Sequence, residues 1–426
     1  MNRRAFLKGA AATSASVVTS QLLPSFSLAQ SQNDDGVGRN LIIFNLAGGL
    51  DHLTAFPYSD TANETQAFVD YVRTVRPVLH VLPSQMANSY LGFHQGLSPL
   101  VAEYQLGRLA LIQGLGISPG QPPGGSHDVC QKIYSVGQSQ YDQTSRGWFA
   151  RFLELNRLVN YQAFGFGTGG RLDFLTERPE DAPVVGARVD QLTFTDPLDP
   201  NNVRVPTNLN FYERFLNAED ANLNRTEQRI LTGLRQTAAT ARVMSDINGE
   251  SLVGSYPDSD VGHTFKSIAK TLKHFSGRDS KDRIFYAVQN SFDSHSEIPR
   301  NLPGQLDHVG RAIGAFVADM RAVPGLYERT AIVAISEFGR SVRENGSEGS
   351  DHGWGTTMFA LGGPIVGGVY GAPPDLAYSQ AHNLCRAEIA FQNVLSRALD
   401  WMNLQYRGAD LFPPNSYVPY NLPIFT

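Results

Sequence analysis

Acidic and imidazole side chains flank two apolar runs in the C-terminal part of the chain. Glu337 follows the run at residues 331–335. Asp351 and His352 come shortly before a second run at residues 357–361. Apolar runs bounded by polar residues are typical of strands that are buried on both faces. Because open α/β sheets place their ligands beyond strand ends, we expect these three side chains to meet in one region.

Similar side chains follow two other predicted strands. Asp51 comes after residues 40–46 and a Gly-Gly pair, which lets the backbone turn sharply. Asp293 and His295 come after residues 284–288, and two such residues can bind one cation if the loop turns between them. Asp51 has a second interpretation as the N-cap of the next helix, and both stay open.

Ser126 stands where a helix is predicted to begin. It follows a Gly- and Pro-rich stretch at residues 116–125, which itself follows a predicted strand at 108–114. Helix N-termini favour anions through their free amides and the helix dipole. A serine at this position can be a nucleophile or an ordinary N-cap, and the residues alone do not separate the two.

Together these side chains predict a divalent-metal site. Carboxylates packed together without a cation would repel one another, and carboxylates mixed with imidazoles suit Zn or Mn, with Mg or Ca where oxygen ligands dominate. Such a cation activates a serine or water nucleophile and stabilises negative charge on a transferred phosphoryl or sulfuryl group. The predicted metal ligands are Asp51, Asp293, His295, Glu337, Asp351 and His352.

Buried strands and amphipathic helices must position these residues. They predict a single α/β domain over residues 40–426, with a mainly parallel sheet flanked by helices and its strand ends facing one cleft. Residues at about 150–280 combine turn-rich sequence with helical apolar spacing and predict a helical or loop insertion. The predicted strands are residues 40–46, 108–114, 284–289, 330–336 and 356–361.

Two short motifs carry a family resemblance. The EFGR of Glu337 to Arg340 and the DHGWG of Asp351 to Gly355 are similar to signatures of the exported bacterial proteins grouped as domain of unknown function family 1501. The strand, polar loop and His-Gly order also resembles the alkaline phosphatase-like superfamily. The resemblance seen in these motifs extends over nearly the whole chain after residue 29.

The resemblance implies an alkaline phosphatase-like fold and a set of roles. Asp293, His295 and His352 would form a first metal site that holds Zn or Mn. Asp51 and Glu337 would form a second site, with Ser126 as the nucleophile. Phe338 departs from the pattern because the relatives carry an imidazole there, and Asp351 would have to fill this gap. If it does not, the second site has only oxygen ligands and prefers Mg or Ca, or stays empty.

Two functions follow from this resemblance. The first is an exported metal-dependent hydrolase that acts on a small-molecule or polymeric phosphate or sulfate ester. The alternative is a non-catalytic envelope protein that keeps the fold for binding or assembly and has a degenerate metal site.

The first residues predict the cellular location of the protein. Arg3 and Arg4 precede Phe-Leu-Lys, a mildly apolar stretch and the Ser-Leu-Ala of residues 27–29. This pattern predicts a twin-arginine signal peptide at residues 1–29, followed by a flexible segment at 30–39. The twin-arginine translocase would then be a partner, and the protein would be periplasmic or extracellular. An uncleaved anchor is the alternative, although the run is short and rich in Ser and Thr for a membrane span.

Charge and cysteine content exclude other classes. The net charge is −5, and residues 1–29 carry three positive and no negative side chains, so the chain without them has a net charge of −8. An acidic chain argues against nucleic acid as a partner. Cys130 and Cys385 are the only cysteines, so one disulfide or none can form.

Overall fold

The computed structural model describes residues 38–61, 63–117, 125–138, 146–158, 161–167, 174, 176–177, 183–186, 188–189, 194–196, 199–204, 224–412 and 417–426. The predicted signal peptide at 1–29 and most of the predicted flexible segment at 30–39 lie outside these residues. None of the helices found in the described ranges has the length and apolar character that crossing a membrane requires.

Helices and strands alternate along most of the described chain. The helices are α1 (His52–Ala55), α2 (Gln66–Val75), α3 (Val101–Gln105), α4 (His127–Val136), α5 (Trp148–Asn156), α6 (Arg225–Asn248), α7 (Asp260–Phe275), α8 (Ile298–Arg321), α9 (Leu376–His382), α10 (Phe391–Trp401) and α11 (Gly408–Leu411). In the described part of the chain, 3-10 helices also span Gln95–Leu100 and Tyr327–Arg329.

The strands belong to one large sheet and three small ones. They are β1 (Asn40–Leu46), β2 (Gln85–Met86), β3 (Gly92–Phe93), β4 (Leu109–Gly116), β5 (Ala163–Phe166), β6 (Val184–Gly186), β7 (Phe194–Asp196), β8 (Asp199–Arg204), β9 (Arg283–Gln289), β10 (Thr330–Ile335), β11 (Arg340–Glu344), β12 (Ser350–His352), β13 (Thr356–Gly362), β14 (Gly368–Tyr370) and β15 (Ile389–Ala390).

Within the described residues, the large sheet has nine strands in the order β14-β4-β13-β10-β1-β9-β5-β6, with β15 also paired to β4. Most neighbours are parallel, including β1 with both β10 and β9. Every residue of β1, β10 and β13 is buried, as expected for strands covered on both faces. The predicted α/β class with a mainly parallel sheet is therefore confirmed, and so are all five predicted strands.

β13 corrects one detail of that prediction. It runs antiparallel to β10 and to β4, so the beginning of β13 lies at the edge where β10 and β4 end. The reason is the connection from β10, which contains only the β11–β12 hairpin and no crossover helix. A parallel pair would need a longer crossover. His352, the last residue of β12, therefore lies at the site edge just before β13 begins.

Helices cover both faces of the sheet. Phe44 of β1 packs edge-on against Phe265 of α7, at 5.0 Å between ring centroids. Tyr286 of β9 pairs in register with the residue before Phe44 and so points to the opposite face. There it packs against Phe149 of α5, at 5.4 Å between ring centroids. Three layers thus bury the central strands and leave their ends free to hold polar side chains.

The region of the predicted insertion contains both helices and strands. Helices α6 and α7 lie within residues 150–280, as the helical spacing indicates. β5 and β6 lie there too, and they extend the large sheet beyond β9 in parallel. The boundaries of an insertion at about 150–280 stay a prediction.

Candidate metal centre

Three side chains converge at the edge where the central strands end. One ligand atom each from His127, Asp293 and His352 lies within 4.8 Å of the others. Nε2 of His127 is 3.2 Å from Oδ1 of Asp293, and Nε2 of His352 is 3.8 Å from the same oxygen. The two imidazole rings meet edge to face, with 4.2 Å between their centroids.

Each of the three comes from a different segment of the chain. His127 is the first residue of α4, which follows β4. Asp293 follows the end of β9, and His352 is the last residue of β12 in the hairpin that precedes β13. The central strands end at one edge, so residues far apart in sequence lie side by side there.

Hydrogen bonds set the tautomer of both imidazoles. Nδ1 of His352 donates to the carbonyl oxygen of Gly125, which can only accept. Nδ1 of His127 lies 3.0 Å from Oε1 of Glu337, also an acceptor when ionised. In the neutral rings the lone pair is then on Nε2 in both cases. Among the described residues, neither Nε2 has a hydrogen-bond partner.

Glu337 contacts Nδ1 of His127, the ring nitrogen that does not face Asp293. Its side chain is buried, and Oε1 also accepts hydrogen bonds from the Gly48 amide at 2.8 Å and from Nε2 of Gln131 at 3.1 Å. A carboxylate behind a metal-binding imidazole fixes the orientation of the ring and raises its basicity. The predicted metal ligand Glu337 thus contacts the ring of His127 through Oε1, while Oε2 has no hydrogen-bond partner among the described residues.

Asp293 is the most heavily contacted member of the group. Oδ1 accepts a hydrogen bond from Nη2 of the fully buried Arg340 at 2.6 Å, and Nδ1 of His295 lies 2.6 Å from the same oxygen. Partial burial raises the pKa of Asp293, but the charge and hydrogen bond of Arg340 outweigh it and lower the pKa to about 2. Asp293 is therefore ionised at neutral pH.

The pKa of His352 lies below the usual value. Burial is the largest cause and outweighs the Gly125 carbonyl, which acts in the opposite direction. The neighbouring His127 and Arg340 lower it further. The neutral ring, with its free Nε2, is the form that a metal ion requires.

Asp51 lies in a different arrangement from the predicted one. Its carboxylate is fully buried and forms a two-point ion pair with Arg76, at 2.9 and 2.7 Å. Ser350 donates to Oδ2 at 2.9 Å, and the Thr54 amide donates to Oδ1 at 3.1 Å. The last contact is the helix cap that was the alternative interpretation, here at the start of α1. Asp51 contributes no atom to the group of three.

Three further predicted residues lie at the margin. Asp351 is exposed, and its Oδ1 accepts a hydrogen bond from Asn345 at 3.1 Å. Neighbouring residues in a strand point to opposite faces, so Asp351 points away from the centre and His352 points into it. His295 is half-exposed, and its ring centroid is 4.6 Å from that of His352. Ser126 is the exposed N-cap of α4 and makes no capping hydrogen bond with its side chain.

His127 is the residue that the sequence interpretation missed. Phe338 removes an imidazole from the expected pattern, and His127 places one against the Phe338 ring, with 4.8 Å between ring centroids. The signal was present in the Ser-His pair of residues 126–127, at the start of a helix that follows a central strand. Only Ser126 of that pair was assigned a role.

The donor set suits a divalent metal. Two imidazoles with unengaged Nε2 atoms and one ionised carboxylate are a common set for Zn with an open position. Asp293 and Glu337 bring two negative charges and Arg340 one positive charge, which leaves a formal charge of −1 when the imidazoles are neutral. Cys130 and Cys385 are both buried, form no disulfide and take no part in this group.

Several solved structures resemble the chain. An alkaline phosphatase superfamily protein from Vibrio parahaemolyticus is 11% identical with a TM-score of 0.34, over 88% of this chain and 72% of that one. The soluble domain of lipooligosaccharide phosphoethanolamine transferase A from Neisseria meningitidis is 10% identical with a TM-score of 0.37, over 94% and 97%. A lipoteichoic acid synthase from Listeria monocytogenes is 11% identical with a TM-score of 0.31, over 80% and 67%.

All three of these likenesses have TM-scores below 0.5. No curated protein sequence matches the chain. One family model matches residues 173–407, which is more than half of the chain and includes Asp293, Glu337 and His352. The chain therefore belongs to the family described as protein of unknown function DUF1501.

Proposed function

We propose that this protein is an exported metal-dependent hydrolase of phosphate or sulfate esters. The observation that carries the proposal is the convergence of His127, Asp293 and His352 from distant parts of the chain, with neither Nε2 atom hydrogen-bonded to any residue that the structure describes. The ester class comes from the sequence resemblance to the alkaline phosphatase-like superfamily. Zn or Mn is the first choice for the metal because two of the three ligands are imidazoles.

Each side chain has a distinct task in this proposal. His127, His352 and Asp293 hold the metal, and Nδ1 of His295 lies 2.6 Å from Oδ1 of Asp293 on the exposed side. Glu337 keeps the ring of His127 in its tautomer. When bound, a divalent ion supplies Lewis acidity to the ester oxygen and favours the deprotonated nucleophile.

Ser126 is the proposed nucleophile. It directly precedes His127, and its exposed hydroxyl is not used for capping, so a substrate at the metal centre can approach it. Its position at the start of α4 adds the positive end of a helix dipole, which favours an anionic ester group.

A non-catalytic role is the second candidate because of the two buried arginines. Arg340 already neutralises Asp293, and Arg76 neutralises Asp51, so the carboxylates have cationic partners without a metal. A binding or assembly protein with a degenerate centre would show this pattern as well. Metal content and turnover together separate the two candidates.

Elemental analysis of the purified protein tests the proposal, together with a screen of phosphate monoesters, phosphate diesters and sulfate esters. We expect one Zn or Mn per chain and metal-dependent turnover of one of these ester classes. His352→Ala should lose both, whereas the exposed His308 on α8 provides a matched His308→Ala control that keeps both. Metal-free native protein, or bound metal without turnover of any ester, would remove the hydrolase and favour the second candidate.

Export by the twin-arginine route is part of the proposal and has its own test. Arg3→Lys with Arg4→Lys should leave uncleaved precursor in the cytoplasm, since that pathway requires the arginine pair. Cell fractionation measures the distribution, and a Lys8→Arg variant serves as the control with an intact pair. Undiminished export of the double variant would contradict this route.

A further inference from the structure

A side chain that cannot bind metal packs against both imidazoles of the proposed metal centre. Phe338 is fully buried, and its ring centroid is 4.8 Å from that of His127 and 4.8 Å from that of His352. Both contacts are tilted, at 44° and 37° between ring planes. One aromatic ring thus touches both imidazoles at once.

The position of this ring is fixed by its surroundings. A Cβ atom at Gly49 would lie 2.4 Å from Cε2 of Phe338, so the backbone there approaches the ring as closely as a glycine allows. Gly49 also has a positive φ of +78°, a conformation that favours glycine. The guanidinium carbon of Arg340 lies 5.9 Å from the ring centroid. Rotation of Phe338 out of this place would therefore disturb the Gly-Gly turn after β1.

Each imidazole is held by the same two kinds of contact. Its Nδ1 makes one hydrogen bond, to Glu337 for His127 and to the Gly125 carbonyl for His352. Its ring packs against the ring of Phe338. A hydrogen bond alone would still allow each ring to rotate about that bond, whereas the aromatic contact removes this freedom and leaves both Nε2 atoms near Asp293.

We propose that Phe338 is a positioning residue that sets the separation and tilt of His127 and His352 before a metal binds. The inference rests on the metal centre of the proposed function. Side chains already locked in their binding geometry lose less conformational entropy on binding, so preorganisation raises metal affinity. Phe338, which stands where the family resemblance predicts an imidazole, would then strengthen the site that His127 and His352 form.

Co²⁺ binding to the full chain tests this role because its visible absorption spectrum reports ligand geometry without any substrate. Phe338→Leu keeps an apolar side chain but removes the aromatic ring that packs against both imidazoles. We expect its Co²⁺ affinity to fall about ten- to one-hundred-fold, the range found when partners that orient metal-binding imidazoles are removed. The absorption bands should also shift, since the imidazoles could then change their tilt.

The matched control is Phe359→Leu. Phe359 is equally buried in β13, and its ring packs against Phe56 at 6.3 Å between centroids. Both variants lose similar packing and should show similar losses of thermal stability without metal. Only Phe338→Leu should change the Co²⁺ affinity and spectrum. Phe338→Met takes its place if circular dichroism shows that the leucine variant does not fold, with the same expectation.

The possible outcomes distinguish this inference from the proposed function. If the native protein binds Co²⁺ and the Phe338 variant binds it with the same affinity and spectrum, the positioning role is wrong. If Phe359→Leu weakens binding to the same extent, the effect is general destabilisation and the inference is also wrong. If the native protein binds no Co²⁺, Zn or Mn, the proposed metal centre itself fails.

Discussion

At the residue scale, the centre depends on which nitrogen of each imidazole carries a proton. Glu337 and the Gly125 carbonyl engage Nδ1 of His127 and His352, and this leaves both Nε2 atoms as acceptors near one ionised carboxylate. Arg340 is the main competitor of a metal, because it already binds Oδ1 of Asp293. The two Nε2 atoms, which have no hydrogen-bond partner among the described residues, remain available to a cation.

Neighbouring residues 126 and 127 should show different defects. His127→Ala removes a proposed ligand and should lower metal affinity at least tenfold, measured by competition with a chelator. Ser126→Ala should keep native metal content and lose turnover by about a hundredfold or more, since the nucleophile is absent. Equal turnover in Ser126→Ala and native protein would show that water, and not this serine, attacks the ester.

At the scale of elements, a buried ion pair joins the turn after β1 to the β11–β12 hairpin. Arg76 follows the end of α2 and binds the Asp51 carboxylate at two points. It also donates to the carbonyl oxygens of Ser341 and Val342 in β11, and Ser350 of β12 donates to Asp51. The hairpin that carries Arg340 and His352 is therefore fastened to the sheet by groups outside the centre.

This ion pair should make stability sensitive to acid. Burial raises the pKa of Asp51, but Arg76 outweighs it and lowers the pKa from 3.8 to about 2. A lowered folded-state pKa adds stability above pH 4 that is lost as the pH falls toward 2, by about 2 kcal/mol in total. Urea unfolding of native protein and Asp51→Asn between pH 6 and pH 2 measures it. The stability difference between the two should shrink over this range, and a difference independent of pH would contradict the assigned pKa.

At the scale of the whole molecule, one sheet edge collects side chains from distant parts of the chain. β1, β9 and β10 lie next to one another, β4 joins them through the antiparallel β13, and helices bury both faces. The core is extensive and apolar, so the polar centre at its edge contributes little to folding by itself. Metal binding should still stabilise the folded chain, because the ligands come together only after folding.

Because metal binding is linked to folding, a bound metal should raise Tm measurably. At free Zn or Mn about a thousandfold above its Kd, the folded state should gain about 4 kcal/mol, and Tm should rise by several degrees in a calorimetric scan. A chelator should reverse the rise. His352→Ala should show no shift with metal, whereas His308→Ala should shift like the native protein. An identical shift in His352→Ala would place the bound metal elsewhere.

Local patterns in the sequence determined the strands and several residues of the centre. The apolar runs that became β1, β4, β9, β10 and β13 are readable because burial on both faces demands unbroken apolar sequence. The same runs place Asp293, Glu337 and His352 at a sheet edge, because polar residues next to such runs must emerge there, and their role as metal ligands stays a prediction. These features depend on residues that are neighbours along the chain.

The tertiary structure decided which side chains contact each other. Asp51 pairs with Arg76, which is 25 residues away and has no local feature that marks it as a partner. His127 supplies the imidazole that residue 338 lacks, since the packing of α4 against the β10 end brings its ring to Phe338. β13 is antiparallel because a hairpin precedes it. In that hairpin His352 points into the centre and Asp351 points away from it. Spacing along the chain does not encode distances between elements, so these contacts follow only from how the sheet and its helices pack.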